Sequence, residues 1–447
     1  MVVVQGELSG PQSVDTAVKD NPHPRAIPRS LPYWWEAGEP LPVQPLTQRC
    51  DVVIIGSGYT GLSAALRLAR GGCSVAVLEA RQPGFGASTR NGGMVSGVLK
   101  HDFDRLAGRV GTDRTRRIFA EAQASVLFLE RLIEDEDIAC DYRRTGMYFA
   151  AYKASHYAQL EREGERLQEH GIETTMVRPD QQQTELGTDF YHGGRILHLA
   201  GGLHPGRMHR GLLERCLASG VEVHGDTPVT AVERSGLKWR LASPRGDVLT
   251  DEVIVATNGY TGPPFDYCRR RIIPIGSYMI ATEPLPGELA RTLIPGKRMI
   301  QDTKKVLFYF RMSPDGQRIL FGGRTSFRTI DEQESAKRLH RQLSGIFPAL
   351  RDVRLSHTWS GNVAFTFDAL PHLGNHAGIH FSMGYCGQGV AMSTYLGSRL
   401  AAGILGHADA ETVFSEAVFP GRPLYTGYPW FLPLVGEFYR LLDRLGR

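Results

Sequence analysis

The chain has 447 residues, 42% of them hydrophobic and 22% charged, which fits a soluble globular protein of two or three units and excludes a fibrous or disordered one. Lys plus Arg number 51 against 47 for Asp plus Glu, a net charge of +4 with no long basic run, so a nucleic-acid surface is not expected. The six cysteines (Cys50, Cys73, Cys140, Cys216, Cys268 and Cys386) stand singly, and no apolar run reaches about 18 residues; metal binding and an integral membrane segment are not expected, and a reducing cytoplasm is.

Residues 1–48 carry prolines at 11, 22, 24, 28, 32, 40, 42 and 45 with little apolar periodicity, and read as an extended N-terminal arm. Within it, "LPYWWEAG" offers Trp34 and Trp35 to anchor the arm on the main body or on a second copy of the chain. From Cys50 the pattern becomes strand, Gly-rich turn, helix and strand. Val52 to Ile55 is the first strand, and "GSGYTG" sets Gly56, Ser57, Gly58, Thr60 and Gly61 at the head of a helix from Thr60 to Arg70. The first glycine permits the tight turn, the second lets a pyrophosphate approach the backbone, and the third lets helix and strand pack closely, with the helix N-terminus supplying amide donors. The next strand, "CSVAVLEA", ends in Glu79, 23 residues beyond Gly56, where a carboxylate accepts both ribose hydroxyls of a dinucleotide; Ala80 and Arg81 follow it into the site. This spacing does not choose FAD over NAD.

The loop "GFGASTRNGGMVSG" then gathers Ser88, Thr89, Arg90, Asn91, Gly92 and Gly93, small or amide-bearing residues suited to a diphosphate and a flat ring. Thr112 to Cys140 has helical apolar spacing; "TGMYFAAY" alternates as a strand; a charged helix ends at Gly171; and "IETTMVRPDQQQTEL" reads as strand, turn and short helix. Arg207 to Ser219 is helical, and several strands follow to Gly259. Between Arg270 and Arg324 the apolar strands predict a separate antiparallel sheet, with Leu307, Tyr309 and Arg311 on one face and Val306, Phe308 and Phe310 on the other. "IHFSMGYCGQGVAMSTYLGSRLAAGILG" returns to strand, Gly turn and helix. The tail pairs apolar and charged residues at helical spacing from Leu432 onward, which suits docking on its own subunit or a dimer mate. The ranges are therefore 49–110, 200–265 and 355–410 for a discontinuous nucleotide-binding domain, 111–199 and 266–354 for a substrate domain, and 411–447 for a C-terminal tail.

With Gly56, Gly58, Gly61, Glu79 and "GASTRNGG" in this order, the chain resembles the D-amino acid oxidase superfamily of FAD-dependent oxidoreductases, and within it the gamma-glutamylputrescine oxidase-like branch, over roughly residues 30 to 400. Two later segments agree. "ATNG" places Thr257, Asn258 and Gly259 at the family's strand end beside the cofactor, and "GYCGQGV" places Gly384, Tyr385, Gly387, Gln388, Gly389 and Val390 at its turn before the last helix. The resemblance implies an α/β fold, a Rossmann-type, glutathione reductase-like FAD-binding domain with an interleaved antiparallel-sheet substrate domain. It also implies that Val229 reads adenine through its backbone, and that FAD is held non-covalently, since 360–366 lacks the cysteine some relatives use. Gln388 replaces the family's commoner histidine, so it can donate a hydrogen bond without a full charge.

The implied activity is oxidation of a C–N bond of an amine or amino acid by hydride transfer to flavin N5, giving an imine that hydrolyses, with oxygen or a quinone as electron acceptor. Tyr278, Tyr309, Arg311 and His204 are the candidate substrate-side residues: Arg311 for a carboxylate, or else in a surface ion pair, and His204 for the pocket wall, or else for a turn. Cys386 reads as reactive or as a small packed residue. Two other readings stay open. A pyridine-nucleotide flavoprotein would need a second G-x-G-x-x-G or a C-x-x-C, which the sequence lacks; the other is a dehydrogenase or subunit acting on a non-amine substrate or holding structural FAD.

Overall fold

Val52–Ile55 and Val75–Leu78 are runs of aliphatic residues buried on both faces, the pattern of central parallel strands covered by helices. In the computed structural model, which describes residues 27–37, 44–324 and 330–445, the strand Arg49–Ile55 pairs in parallel with Val75–Leu78 on one side and Gly246–Val255 on the other. Glu222–His224 and Ile379–Met383 extend this sheet, and His372–His376 closes one edge antiparallel. Ala231–Ser235 and Lys238–Ser243 fold onto Gly246–Val255 as an antiparallel meander. The helix Tyr59–Arg70 packs against Gly389–Ile404 and Pro205–Ala218.

The second sheet, of eight described strands, runs in the order Leu355–Phe365, Ile273–Thr282, Ile319–Gly323, Phe308–Met312, Met299–Asp302, Met147–Ala150, Gly194–Leu197 and Thr174–Val177. It is antiparallel except where Met299–Asp302 meets Met147–Ala150. One face buries Ile280, Phe308, Phe310 and Phe321 against Leu339, Leu343 and Ile346 of the helix Glu332–Ile346. The other face is turned toward the first sheet, so the space between the two units is walled by alternate residues of each strand. Phe310 is fully buried, at ring contact with Phe321 (5.6 Å) and Phe347 (5.8 Å). Phe310→Ala should cost about 3–5 kcal/mol, read as a lowered urea midpoint at unchanged slope.

Several boundaries move. The predicted helix to Cys140 ends at Asp135, because Asp137 turns the chain at φ 48 and Ile138 and Cys140 enter the core. That helix packs on Gly389–Ile404 of the first unit, although the sequence ranges place it with the substrate domain. Conversely, Leu355–Phe365, placed by sequence with the nucleotide-binding unit, pairs along its length with Ile273–Thr282 in the second sheet. Apolar content identifies a strand but not its sheet.

Of the arm, residues 1–26 and 38–43 lie outside the described residues, as do the last two of the tail. Arg29 forms a parallel bridge along Leu355–Phe365, Arg29 N–H donating to Ser356 O at 2.9 Å and Thr358 N–H to Arg29 O at 2.9 Å. This covers the sheet's edge strand. Tyr33–Ala37 then forms a short 3-10 turn. The tail helix Leu432–Leu445 docks on its own chain, where the Asp443 carboxylate accepts from the backbone N–H groups of Lys305 (2.7 Å) and Val306 (3.0 Å).

Candidate cofactor and substrate site

One cavity of about 1340 Å³ runs between the two units, larger than the usual range for a single small ligand. At its first end the strand Arg49–Ile55 delivers the glycine turn. Gly56 has φ 102, and a side chain at Gly61 would drive its Cβ into the Gly56 carbonyl, so both positions demand glycine. Gly58 is the N-cap of the helix Tyr59–Arg70 and supplies no side-chain acceptor, which leaves first-turn amides open toward the cavity. Tyr59 N–H is taken by Ser88 Oγ at 2.9 Å, joining the turn to the second loop. His209, on the helix Pro205–Ala218, donates from Nε2 to Ser57 O at 2.7 Å; burial lowers its pKa to about 4, so it supports the turn as a neutral ring.

Glu79 lies beside this turn. One carboxylate oxygen accepts from Ser57 N–H (3.0 Å) and Ser57 Oγ (2.8 Å), the other from Arg81 N–H (3.1 Å), and this second oxygen keeps lone-pair capacity for a ribose hydroxyl. Ala80, Arg81 and Val229 line the same end. The second loop contributes Ser88, Arg90, Asn91 and Gly92 to the cavity wall, and Thr257 and Asn258 line it from the strand end. At the last turn Tyr385, Gly387, Gln388, Gly389 and Val390 line it too. The helix Gly389–Ile404 begins there with Gln388 as N-cap and no side-chain cap bond, so its positive end is open to the cavity. Gln388 accepts through Oε1 from Ser96 Oγ at 2.9 Å. Tyr385 OH meets Thr60 Oγ1 at 2.7 Å, which ties the first and last turns together.

Gly61, Thr89, Gly93, Gly259 and Gly384, also expected at the cofactor, stand just behind the wall. Thr89 Oγ1 is engaged by Trp35 and by the Gly84 carbonyl. Gly93 and Gly384 have positive φ, and Gly384 N–H is held by Asn258 Oδ1 at 2.9 Å. Their part is to shape the turns.

A dinucleotide fits these residues on three observations: uncapped amides at two helix N-termini, a carboxylate at the second strand end, and glycines whose Cβ atoms would collide with neighbouring backbone. Burial holds the Cys386 thiol up to about 11, with Sγ directed at the Gly384 carbonyl (3.1 Å), so it is a packed neutral thiol.

On the substrate side, Tyr309 lines the cavity, its OH 2.9 Å from Ser277 Oγ, and a Cβ on Gly92 would meet its ring at 3.3 Å. The other three candidates sit elsewhere. Tyr278 is one residue out of phase: it points into the far-side core and its OH accepts from Ile330 N–H at 3.1 Å. Arg311 shares the face of Tyr309, yet its guanidinium donates to the backbone carbonyls of Gly93 (2.9 Å), Leu203 (2.8 Å) and Met312 (3.0 Å). It is thus neither a carboxylate ligand on the cavity wall nor a surface ion pair. His204 caps the helix Pro205–Ala218, accepting Arg207 N–H at Nδ1 (3.2 Å), and burial takes its pKa down to about 4.

Residues the sequence reading passed over fill the same space. Lys100, five positions after the "RNGGMV" stretch ends at Val95, reaches into the cavity with its ammonium 5.2 Å from the Phe365 ring. Enclosure by protein lowers its pKa, helped by repulsion from Arg324 and Lys305, which line the cavity as well. Ser277 was one step of strand alternation from the chosen Tyr278. From the tail helix, Leu432, Val435, Tyr439 and Leu442 form part of the wall. Among the described residues, no group of three or more His, Cys, Asp or Glu could hold a metal, and no helix is long and apolar enough to cross a membrane.

The family model for FAD dependent oxidoreductase matches residues 51–402. Gamma-glutamylputrescine oxidoreductase of Escherichia coli (strain K12) is 32% identical over 89% of this chain and 93% of its own length. A probable oxidoreductase OrdL of Haemophilus influenzae is 31% identical over 92% of this chain and 96% of its own. Among solved structures, glycine oxidase from Geobacillus kaustophilus superposes with a TM-score of 0.70 at 18% identity, covering 84% of this chain and 99% of that one. L-amino acid deaminase from Proteus vulgaris, with its specific insertion sequence deleted, gives 0.68 at 17% identity over 87% and 98%.

Proposed function

The chain belongs to the family of FAD-dependent oxidoreductases, and from that premise we propose that it oxidises an amine bearing a distant anionic group, of the gamma-glutamyl amine kind that the E. coli relative is named for. At the coarser level it is an FAD-dependent enzyme acting on the C–N bond of an amine or amino acid. When bound, FAD supplies the two-electron acceptor that takes hydride from the carbon beside the nitrogen, leaving an imine that water hydrolyses.

The protein's own residues prepare that step. Tyr309 and Ser277 form a hydroxyl pair on the wall across from Gly92, suited to orienting the amine. Burial raises the Tyr309 pKa, so it acts as a neutral hydrogen-bonding phenol. Lys100, Lys305 and Arg324 supply positive potential. Cations near a bound ammonium lower its pKa and favour the neutral amine whose lone pair the reaction needs. The same charges attract a carboxylate elsewhere on the substrate. The open helix end at Gly389 favours negative charge in the adjacent cavity, which makes the bound cofactor a stronger electron acceptor.

The single observation that carries this reading is one continuous cavity joining the glycine turn, Gly92, Tyr309 and the Lys100 cluster. Action in the cytoplasm, a homodimeric state, and oxygen or a quinone as final acceptor are parts of the same proposal. The test is anaerobic mixing of the holoenzyme with a panel of free amino acids, simple amines and gamma-glutamyl amines, followed by peroxide assay in air with the best of them. Fastest loss of flavin colour with a gamma-glutamyl amine is expected; faster loss with glycine or a simple amine would overturn the substrate assignment. Peroxide in air would identify oxygen as acceptor, and its absence would point to a quinone.

A further inference from the structure

Three tryptophan side chains converge on three consecutive residues of the second cofactor loop. Trp35 Nε1–H donates to Thr89 Oγ1 at 2.7 Å, Trp359 Nε1–H to Arg90 O at 2.9 Å, and Trp34 Nε1–H to Asn91 O at 2.8 Å. Two of these come from the N-terminal arm and one from the edge strand to which the arm is bridged. Among the described residues, no other donor reaches the Arg90 and Asn91 carbonyls, so the indoles satisfy two groups that would otherwise be stranded.

The arm is seated to do this. Trp34 is 1% exposed and its ring stands edge-on to His204 at 4.9 Å. Glu36 meets His357 at 3.1 Å. A side chain on Gly206 would strike the Trp34 carbonyl. Trp35 lies under the Arg90 guanidinium at 4.6 Å, and Phe85 lies 4.5 Å from the same group.

Peptide geometry gives the contact a direction. In a trans peptide the carbonyl of one residue and the N–H of the next point opposite ways. The Asn91 carbonyl is held toward Trp34, which is not on the cavity wall, whereas Asn91 and Gly92 are. The Gly92 N–H therefore points away from Trp34, toward the cavity side, and it has no acceptor among the described residues. Accepting a bond at the Asn91 carbonyl also polarises that peptide and strengthens its N–H as a donor.

We propose that Trp34, Trp35 and Trp359 are positioning residues that aim the Gly92 amide at bound FAD, so that the arm is part of the cofactor site. The proposal rests on the FAD assignment and not on the choice of substrate. Its test removes the indole N–H while keeping a ring: Trp34→Phe and Trp359→Phe, each titrated as apoprotein with FAD and followed by flavin fluorescence. Each is expected to weaken FAD binding about fivefold, or about 1 kcal/mol, and to shift the midpoint potential of the bound flavin, in an apoprotein that still folds but melts at a lower temperature. Benzothienylalanine at position 34, an indole isostere without the N–H, should reproduce the loss and replaces the phenylalanine variant should that one fail to fold. Unchanged FAD affinity and potential would overturn the proposal, as would a loss of apoprotein stability with no change in either. No amine is needed for any of these readouts, so a failed substrate assignment leaves the outcome distinct.

Discussion

Gly61→Ala is expected to give a folded protein without flavin colour or activity. The added Cβ would enter the Gly56 carbonyl and approach Ile54 Cγ2 at 3.2 Å, and neither neighbour can turn aside because both belong to the central strand and its turn. Relief requires the helix Tyr59–Arg70 to lift from the sheet, taking with it the first-turn amides proposed to receive the diphosphate. Overpacking of this kind costs about 3 kcal/mol, so FAD affinity should fall at least about 100-fold, measured by titration of the apoprotein. Gly108→Ala is the control: a side chain there meets open space within a helix away from the turn, and FAD binding should be unchanged.

Lys100→Met is expected to depress kcat, measured at saturating amine, most strongly near neutral pH. Removing the ammonium removes a charge that lowers the pKa of the substrate amine, so that amine pKa rises by about one to two units. The rate limb that climbs as the amine deprotonates then moves to higher pH by the same amount, and at a fixed neutral pH the rate falls about 10- to 100-fold. The sign for Lys100 itself runs the other way along the pH axis. Its pKa is lowered by enclosure, so its positive charge is present at low pH and is lost earlier than an ordinary lysine's as pH rises. Lys100→Arg keeps the charge at all accessible pH and should restore the acid limb. A pH profile for Lys100→Met that coincides with wild type would remove Lys100 from the proposed mechanism.

How much of this was legible in the sequence follows from which interactions are local. The turn Gly56 to Gly61, Glu79 and the loop Ser88 to Gly92 announce themselves because each residue acts through its backbone or through neighbours a few positions away. The phase of the Phe308–Met312 strand was legible too, since Phe308 and Phe310 enter the core and Tyr309 meets the cavity. Alternation failed at Tyr278 because the choice between Ser277 and Tyr278 depends on which face meets the other domain, and hydrophobicity favours neither. Arg311 shares a face with Tyr309 but is claimed by two carbonyls from distant segments, Gly93 and Leu203, which strand periodicity does not contain.

Lys100 gave a weak signal: a single lysine after an apolar stretch reads as a surface residue. Leu355–Phe365 falls in the range that the sequence assigned to the nucleotide-binding unit, yet it pairs in the second sheet, with a partner about 80 residues earlier. The two tryptophans of the arm were conspicuous in the sequence, but their indole hydrogens acquire meaning only when the loop carbonyls they bond are placed opposite them.

The reaction of this chain takes hydride from the carbon next to an amine. That transfer is tested most directly by anaerobic stopped-flow reduction of the bound flavin with the best amine of the panel, protiated or deuterated at that carbon. Flavin colour should be lost in one phase, several-fold more slowly with the deuterated amine, since that C–H bond breaks in the step observed. Loss of colour at the same rate with both would place the limiting step elsewhere, and no loss of colour with any amine would contradict the account.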